Sequence, residues 1–410
     1  MKTSVVYRVM VGLLFLLAGN AAFAQEPVIP VRKRPTITGQ PTSPQQTNTV
    51  TPQGNARPKS DTAGTGIETR DYSDDSLQVQ VYTLSRSAAG TFDTSIRDYT
   101  SRFPIPATHV FLGNDGSATR SLLFSTPRRI GWDPGFHSND VYKLRLEDAR
   151  FYNTPRPYTE LGYMLASGTE QMIDILHTQN IRPYWNAAFQ YRLLGAPGTF
   201  RNQRNNHRSY QITSWYQSQN KRYNNYFVIL NNKIQSGENG GIKTDRDYLN
   251  DPVFDRRLAI PTNIGGSSTI GTDLFSNNLV TGRREKEFNL LLRQQYDFGR
   301  KDSLVTDSTI IPLFYPRLRF EHTLRYGSYS YLFQDLPSAS STTKNAPDSA
   351  YYSNHYGIKF QNNNGEDSVH LEDRWREWSN DFSVYQFPDA NNLQQFIKVG
   401  LELQLLHGDL

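Results

Sequence analysis

The feature that most constrains this chain is an alternation of apolar and polar residues, sustained past the length of an ordinary strand. From Trp185 to Leu193 the odd positions hold Trp185, Ala187, Phe189, Tyr191 and Leu193; the even ones hold Asn186, Ala188, Gln190 and Arg192. Successive side chains of a strand point to opposite faces, so this pattern makes one oily face and one wet face. It recurs in Phe288 to Phe298, Leu318 to Tyr326 and Ile397 to Leu405. Strands usually run about 5–6 residues, whereas a tilted strand crossing a bilayer needs about 9–11. Two-faced strands of that length predict an all-β fold, an antiparallel transmembrane β-barrel.

The N-terminus carries a matching address. Lys2 and Arg8 are basic, Val9 to Ala18 is a short apolar core, and Ala22-Phe23-Ala24 is a small-x-small cleavage site before Gln25. Residues 1–24 therefore read as a signal peptide. The apolar core is too short for a helical span of about 20 residues. No Cys follows it, which excludes a lipoprotein anchor there. Further on, Phe227 to Leu230 and Leu290 to Leu292 are among the longest apolar runs, so membrane helices are excluded. Residues 25–70, rich in Pro, Thr, Gln and Gly, read as a disordered periplasmic spacer.

Composition narrows the chemistry. The chain has 410 residues and no Cys, which removes disulfides, thiol catalysis and Cys-ligated metals. Aromatics make up 12% while mean hydropathy is −0.63. That combination suits a barrel in which only alternate side chains meet lipid. The net charge is +5, and the one dense basic run is Arg32-Lys33-Arg34, so nucleic-acid binding has no support. No phosphate loop, nucleophile elbow or metalloprotease helix is present, and the eight His are scattered. His177, His207 and Asp245 are a trio that a rim active site of an outer-membrane hydrolase could use. No cofactor or metal is implied.

Residues 71–157 hold short candidate strands at Leu77–Tyr82, His109–Leu112 and Ser121–Phe124. Turns at Gly113–Gly116 and Asp133–Gly135 separate them. They suit a plug, a periplasmic entry segment or the first barrel hairpins. From residue 158 to 410 the spanning rhythm predicts strands at 158–166, 169–178, 183–194, 208–219, 222–234, 284–298, 315–332, 350–360, 378–388 and 394–406. Tight connections are expected at Ala166–Gly168, Gln179–Arg182 and Gln219–Lys221, and long polar loops at 234–283 and 336–348. Short turns alternating with long loops fit periplasmic turns and extracellular loops. His407-Gly408-Asp409-Leu410 reads as a turn with no strand after it. The expectation is a truncated, incomplete barrel: an open sheet of about ten or more strands whose last strand is paired on one side only.

Charged side chains facing lipid at the midplane cost about 2–4 kcal/mol for each Arg or Lys. Arg192, Arg293, Asp297, Arg319, Glu321, Arg325, Lys398 and Glu402 are therefore expected to face the lumen. Asp174, Asn186, Gln190, Asn289, Gln295 and Gln404 share their polar face. Trp185, Phe189, Tyr191, Leu290, Leu292, Phe320, Leu401 and Leu403 are expected to face outer-membrane lipid. Tyr163, Trp185, Trp215, Tyr216, Tyr326 and Trp378 lie toward strand ends, as interfacial girdles do. Opposed Arg and carboxylate groups across a lumen would order water and polar solutes; a packed, salt-bridged lumen would not conduct.

A set of strings carries a resemblance: Phe111-Leu112-Gly113-Asn114-Asp115-Gly116, Arg120-Ser121-Leu122-Leu123-Phe124, Phe151 to Tyr163, His177 to Asn186, and Glu238-Asn239-Gly240-Gly241-Ile242. Taken in order, they make the chain similar to the putative porin family of Bacteroidetes outer membranes, over about residues 70–250. None of the strings is catalytic. The resemblance implies a barrel, no enzyme activity, and passive diffusion of small polar solutes through the cell outer membrane. It also implies further strands beyond this chain. A plugged barrel with a binding or assembly role is the alternative; oligomeric state is left open.

Overall fold

The computed structural model describes residues 79–84, 90–91, 105–124, 132–265, 281–305, 310–335, 354–357, 369–389, 392–393 and 395–409. The expected signal peptide and Pro/Thr-rich segment lie outside the described residues. Nine strands form one antiparallel meander, each paired with its sequence neighbour. They are β6 (Tyr158–Leu165), β7 (Gln171–Arg182), β8 (Trp185–Ala196), β9 (Asn205–Gln217), β10 (Tyr223–Gly237), β11 (Gly282–Val305), β12 (Ile310–Asp335), β13 (Val369–Gln386) and β14 (Ile397–Asp409). Among the described residues, β6 pairs only with β7 and β14 only with β13, so the sheet is open at both edges.

The alternation explains why these segments pair in this register. A slip of one residue would move every side chain of a strand to the other face. The observed register instead keeps like with like: Phe189 sits opposite Ile212, Ile212 opposite Ile229, Ile229 opposite Leu290, and Leu290 opposite Tyr326. One residue along, Asp174 sits opposite Arg192 and Asp297 opposite Arg319. Leu161, Tyr163, Trp185, Phe189, Tyr216, Phe298, Trp378 and Leu401 are all exposed on the apolar face, which we call the open face. Along β11 the apolar stretch runs from Phe288 to Phe298, close to the roughly 9–11 residues of a tilted bilayer crossing.

Several boundaries differ from expectation. The polar stretch Gln179–Arg182 continues β7, and the tight connection is Pro183-Tyr184. His407 to Asp409 continue β14, because Gly408 and Asp409 stay in register with Trp375 and Arg374. A strand over 350–360 is not formed where that segment is described: residues 354–356 make a helical turn. Among the described residues the large sheet therefore has nine strands.

Five short strands precede it: β1 (Gln80–Thr83), β2 (Gly90–Thr91), β3 (His109–Phe111), β4 (Thr119–Ser121) and β5 (Arg150–Asn153). β2, β1 and β5 make one small sheet and β3 and β4 another, both separate from the meander. The described residues of the segment they belong to, residues 79–84, 105–124 and 132–154, pack on the face opposite the open one, here the packed face. The core consists of three small clusters between the two. Val79 and Tyr152 meet Leu176 and Ala188. Tyr142 meets Met172, Leu194 and Ile234. Ala149 and Phe151 meet Val228 and Leu291.

Candidate pore-lining face

The packed face divides by charge. Across β7–β10 it holds small, amide and apolar residues such as Thr178, Asn186, Ala188, Ser209, Gln211, Thr213, Val228 and Asn232. It also holds an acid–base pair, Asp174 with Arg192, Oδ2 to Nη2 at 2.6 Å, with Gln190 Nε2 donating to Asp174 Oδ1 at 3.1 Å. This neutral half receives the N-terminal segment. Its side chains bond that segment's backbone: Asn205 Nδ2 donates to Asp115 O at 2.9 Å, Asn232 Nδ2 to Leu144 O at 2.9 Å, and Thr213 Oγ1 to Arg150 O at 2.9 Å. Each such bond is worth about 0.5–1.5 kcal/mol, and more is lost if a buried partner is left unsatisfied.

The Gly113–Gly116 turn is the tightest contact. His207 Nε2 donates to Gly116 O at 2.6 Å, while Nδ1 accepts from Gln235 N at 3.3 Å, so the ring is the neutral Nε2–H tautomer. Gly116 has φ +80°, and a Cβ there would lie 2.6 Å from Leu194 Cδ2 and 2.9 Å from His207 Nε2. Only glycine fits. Asp115 N donates to Glu170 Oε1, on the turn before β7, at 3.3 Å. Burial raises the Asp115 carboxyl above the usual carboxylate range. Burial, and next the negative charge of Asp115, raise Glu170 in the same direction. Close by, Lys143 bridges Asp140 and Glu285, each at 2.9 Å. Burial alone would lower its ammonium, but the two carboxylates outweigh it and hold it above the ordinary range.

Across β11–β14 the packed face is densely charged and laces itself sideways. Arg319 grips Asp297 through two bonds, Nε to Oδ1 at 2.6 Å and Nη2 to Oδ2 at 2.9 Å. Glu321 accepts from Gln295 Nε2 at 2.6 Å and from Tyr385 OH at 3.0 Å. Ser379 Oγ donates to Glu402 at 2.7 Å, and Lys398 Nζ lies 5.1 Å from the Tyr385 ring centre. Arg293 marks the seam: its Nε donates to Thr323 Oγ1 at 3.2 Å and its Nη1 to Leu84 O of the N-terminal segment at 2.9 Å. That segment also reaches one end of the charged half, where Trp132 packs on Trp375 and Phe136 stacks on Tyr331.

Over residues 81–407 the chain matches the family model described as putative porin. The chain belongs to that family. No curated protein and no solved structure matches it. As a member of the porin family it is an outer-membrane protein and a non-enzymatic channel.

The residues singled out in the sequence fall on two faces of this porin. Arg192, Arg293, Asp297, Arg319, Glu321, Arg325, Lys398 and Glu402 share the packed face by register. Trp185, Phe189, Tyr191, Leu290, Leu292, Phe320, Leu401 and Leu403 share the open face. Trp215 departs from expectation. It lies on the packed face, where its Nε1 donates to Tyr152 O, while Tyr216 next to it is on the open face. The hydrolase trio is not assembled. His177 is on the open face, hydrogen-bonded to Thr159 at 2.7 Å; His207 is buried on the other face; and Asp245 is in the loop after β10, accepting from Tyr248 OH at 3.0 Å. What the sequence reading missed is β5 and the seat of the N-terminal segment. The family-like string around Gly116 is the signal that marks that seat.

Proposed function

We propose that this porin passes small polar solutes by passive diffusion along the charged half of its packed face. The open face meets lipid, and the described residues of the N-terminal segment, 79–84, 105–124 and 132–154, fill most of the neutral half as a built-in constriction. The observation that carries this reading is the segregation of charge. A docked protein segment lies mainly on the strands that offer neutral amides and hydroxyls, while most carboxylate and guanidinium groups of the packed face are gathered on β11–β14, where Arg319, Arg325, Lys398 and Glu402 stay partly or fully exposed. The exposed apolar band of the open face, larger than soluble proteins tolerate, supports lipid contact. No reaction and no cofactor enter this function.

The test is single-channel recording of the full-length protein in planar bilayers. Discrete conductance steps are expected, with a cation-to-anion permeability ratio that falls in the double variant Glu321→Gln, Glu402→Gln. A second reading, a barrel closed by its N-terminal segment and used for binding or assembly, is favoured by the completeness of the Gly116 seat. Silence in the bilayer with the protein correctly inserted would select that reading.

A further inference from the structure

Besides the His177–Thr159 pair on β6 and β7, the open face carries a larger polar patch on β10–β13. Asn225 of β10 sits opposite Gln294 of β11, which sits opposite His322 of β12. His322 Nε2 lies 2.8 Å from Oδ1 of Asn380 on β13. Rows of apolar and aromatic residues run on both sides: Tyr223, Tyr296 and Phe320 in register on one, and Ile229, Leu290 and Tyr326 on the other. His322 is the middle residue of the apolar stretch Leu318, Phe320, Leu324 and Tyr326, with two apolar open-face positions on either side of it. The open faces of β8 from Trp185 to Leu193 and of β14 from Ile397 to Leu405 carry no such interruption.

Hydrocarbon cannot satisfy these groups. The His322–Asn380 contact leaves the second ring nitrogen and the Asn380 amide hydrogens over, and unsatisfied polar groups are not tolerated in lipid. What satisfies them must be another protein surface at the same depth. The four side chains carry no fixed charge, and each holds both a donor and an acceptor when His322 is neutral. The patch is therefore complementary to itself across a two-fold axis, as isologous contacts require. We propose that the open face of β10–β13 is a two-fold contact between two copies of this chain, centred on Asn225, Gln294, His322 and Asn380. The proposal rests on the reading that the open face meets lipid.

The absence of Cys makes the test clean. Single-cysteine full-length proteins, Gln294→Cys, His322→Cys and, as a remote open-face control, Ile175→Cys, are oxidised in native outer membranes. A species of twice the mass is expected at Gln294→Cys and His322→Cys and not at Ile175→Cys. The double variant Gln294→Leu, His322→Leu is then sized by native mass spectrometry, and it should fall from two copies to one. Absence of the doubled species at the patch, or equal amounts at all three positions, overturns the contact. So does a leucine variant that keeps its mass and gains heat stability, the result expected of a lipid-facing patch. Labelling of Phe189→Cys by a membrane-impermeant maleimide separates the two ideas. Rapid labelling would remove the lipid reading and the contact together, whereas protection without cross-linking would remove the contact alone.

Discussion

The two halves of the packed face have one architecture and two fates. On β7–β10 the inward positions are mostly neutral, Asp174 and Arg192 being paired with each other, and a folded segment sits on them, bonded backbone-first to Asn205, Asn232 and Thr213. On β12–β14 the same alternation delivers Arg319, Glu321, Asp381 and Glu402, which bond sideways, Arg319 to Asp297 of β11 and the three acids to Tyr and Ser hydroxyls. Period and pairing do not separate the halves; charge does. A neutral wall can be desolvated against protein at the cost of matching its amides. A charged wall would need a partner for every ion, and unpaired burial costs several kcal/mol per ion. The contrast therefore marks which part of one continuous sheet is fit to be covered and which is fit to be wet.

The largest expected effect falls on the covered half. Gly116→Val forces a branched residue into φ +80° and against Leu194 and His207. Backbone strain of about 1–3 kcal/mol adds to overpacking of about 1–3 kcal/mol. Residues 112–124 and 132–142 should lose amide-exchange protection while the β11–β13 amides keep theirs. Loss of protection in both halves together would break the contrast.

A smaller effect separates the two faces within one strand. Phe189→Arg should cost about 2–4 kcal/mol in refolding into bilayers. Arg192→Gln, three residues on and on the packed face, removes a half-buried ion pair and should cost about 1 kcal/mol or less. Urea titrations in the presence of lipid vesicles measure both, and equal costs would deny that the faces differ.

These residues show how much was legible beforehand. The alternation alone divides Phe189 from Arg192 and Leu290 from Arg293, because parity along a strand leaves no choice. Parity also forbids Trp215 and Tyr216 from sharing a face, so only Tyr216 of the two can join a lipid-facing girdle. Gln179–Arg182 looked like a turn because polar residues at the end of a strand resemble turn residues. Pro183, which cannot donate to a ladder, was the better marker. The seat of the N-terminal segment was not legible. It is made by contacts between residues about 90 apart, such as Asn205 with Asp115, and β5 is too short to show a period.

The smallest effect is on pH. The Asp115 and Glu170 carboxyls are raised in the docked state, so the docked form holds protons that the undocked form has released. Docking is therefore firmest below the ordinary carboxylate range and weakens as pH rises from the undocked value through the docked ones. Exchange protection of residues 112–118 should decline across that window. Glu170→Gln should flatten the decline; an unchanged profile would remove this pair from the seat.

The central question is which surfaces are wet. Single cysteines at Gln404, exposed on the charged half, Gln211, buried on the covered half, and Leu401 on the open face can be titrated with a small impermeant maleimide in native outer membranes. Rapid labelling is expected at Gln404→Cys and protection at the other two. At Gln211→Cys the protection should be lost when Gly116→Val unseats the N-terminal segment. Labelling at Leu401→Cys as fast as at Gln404→Cys would contradict the division of the surface into wet and lipid-facing parts.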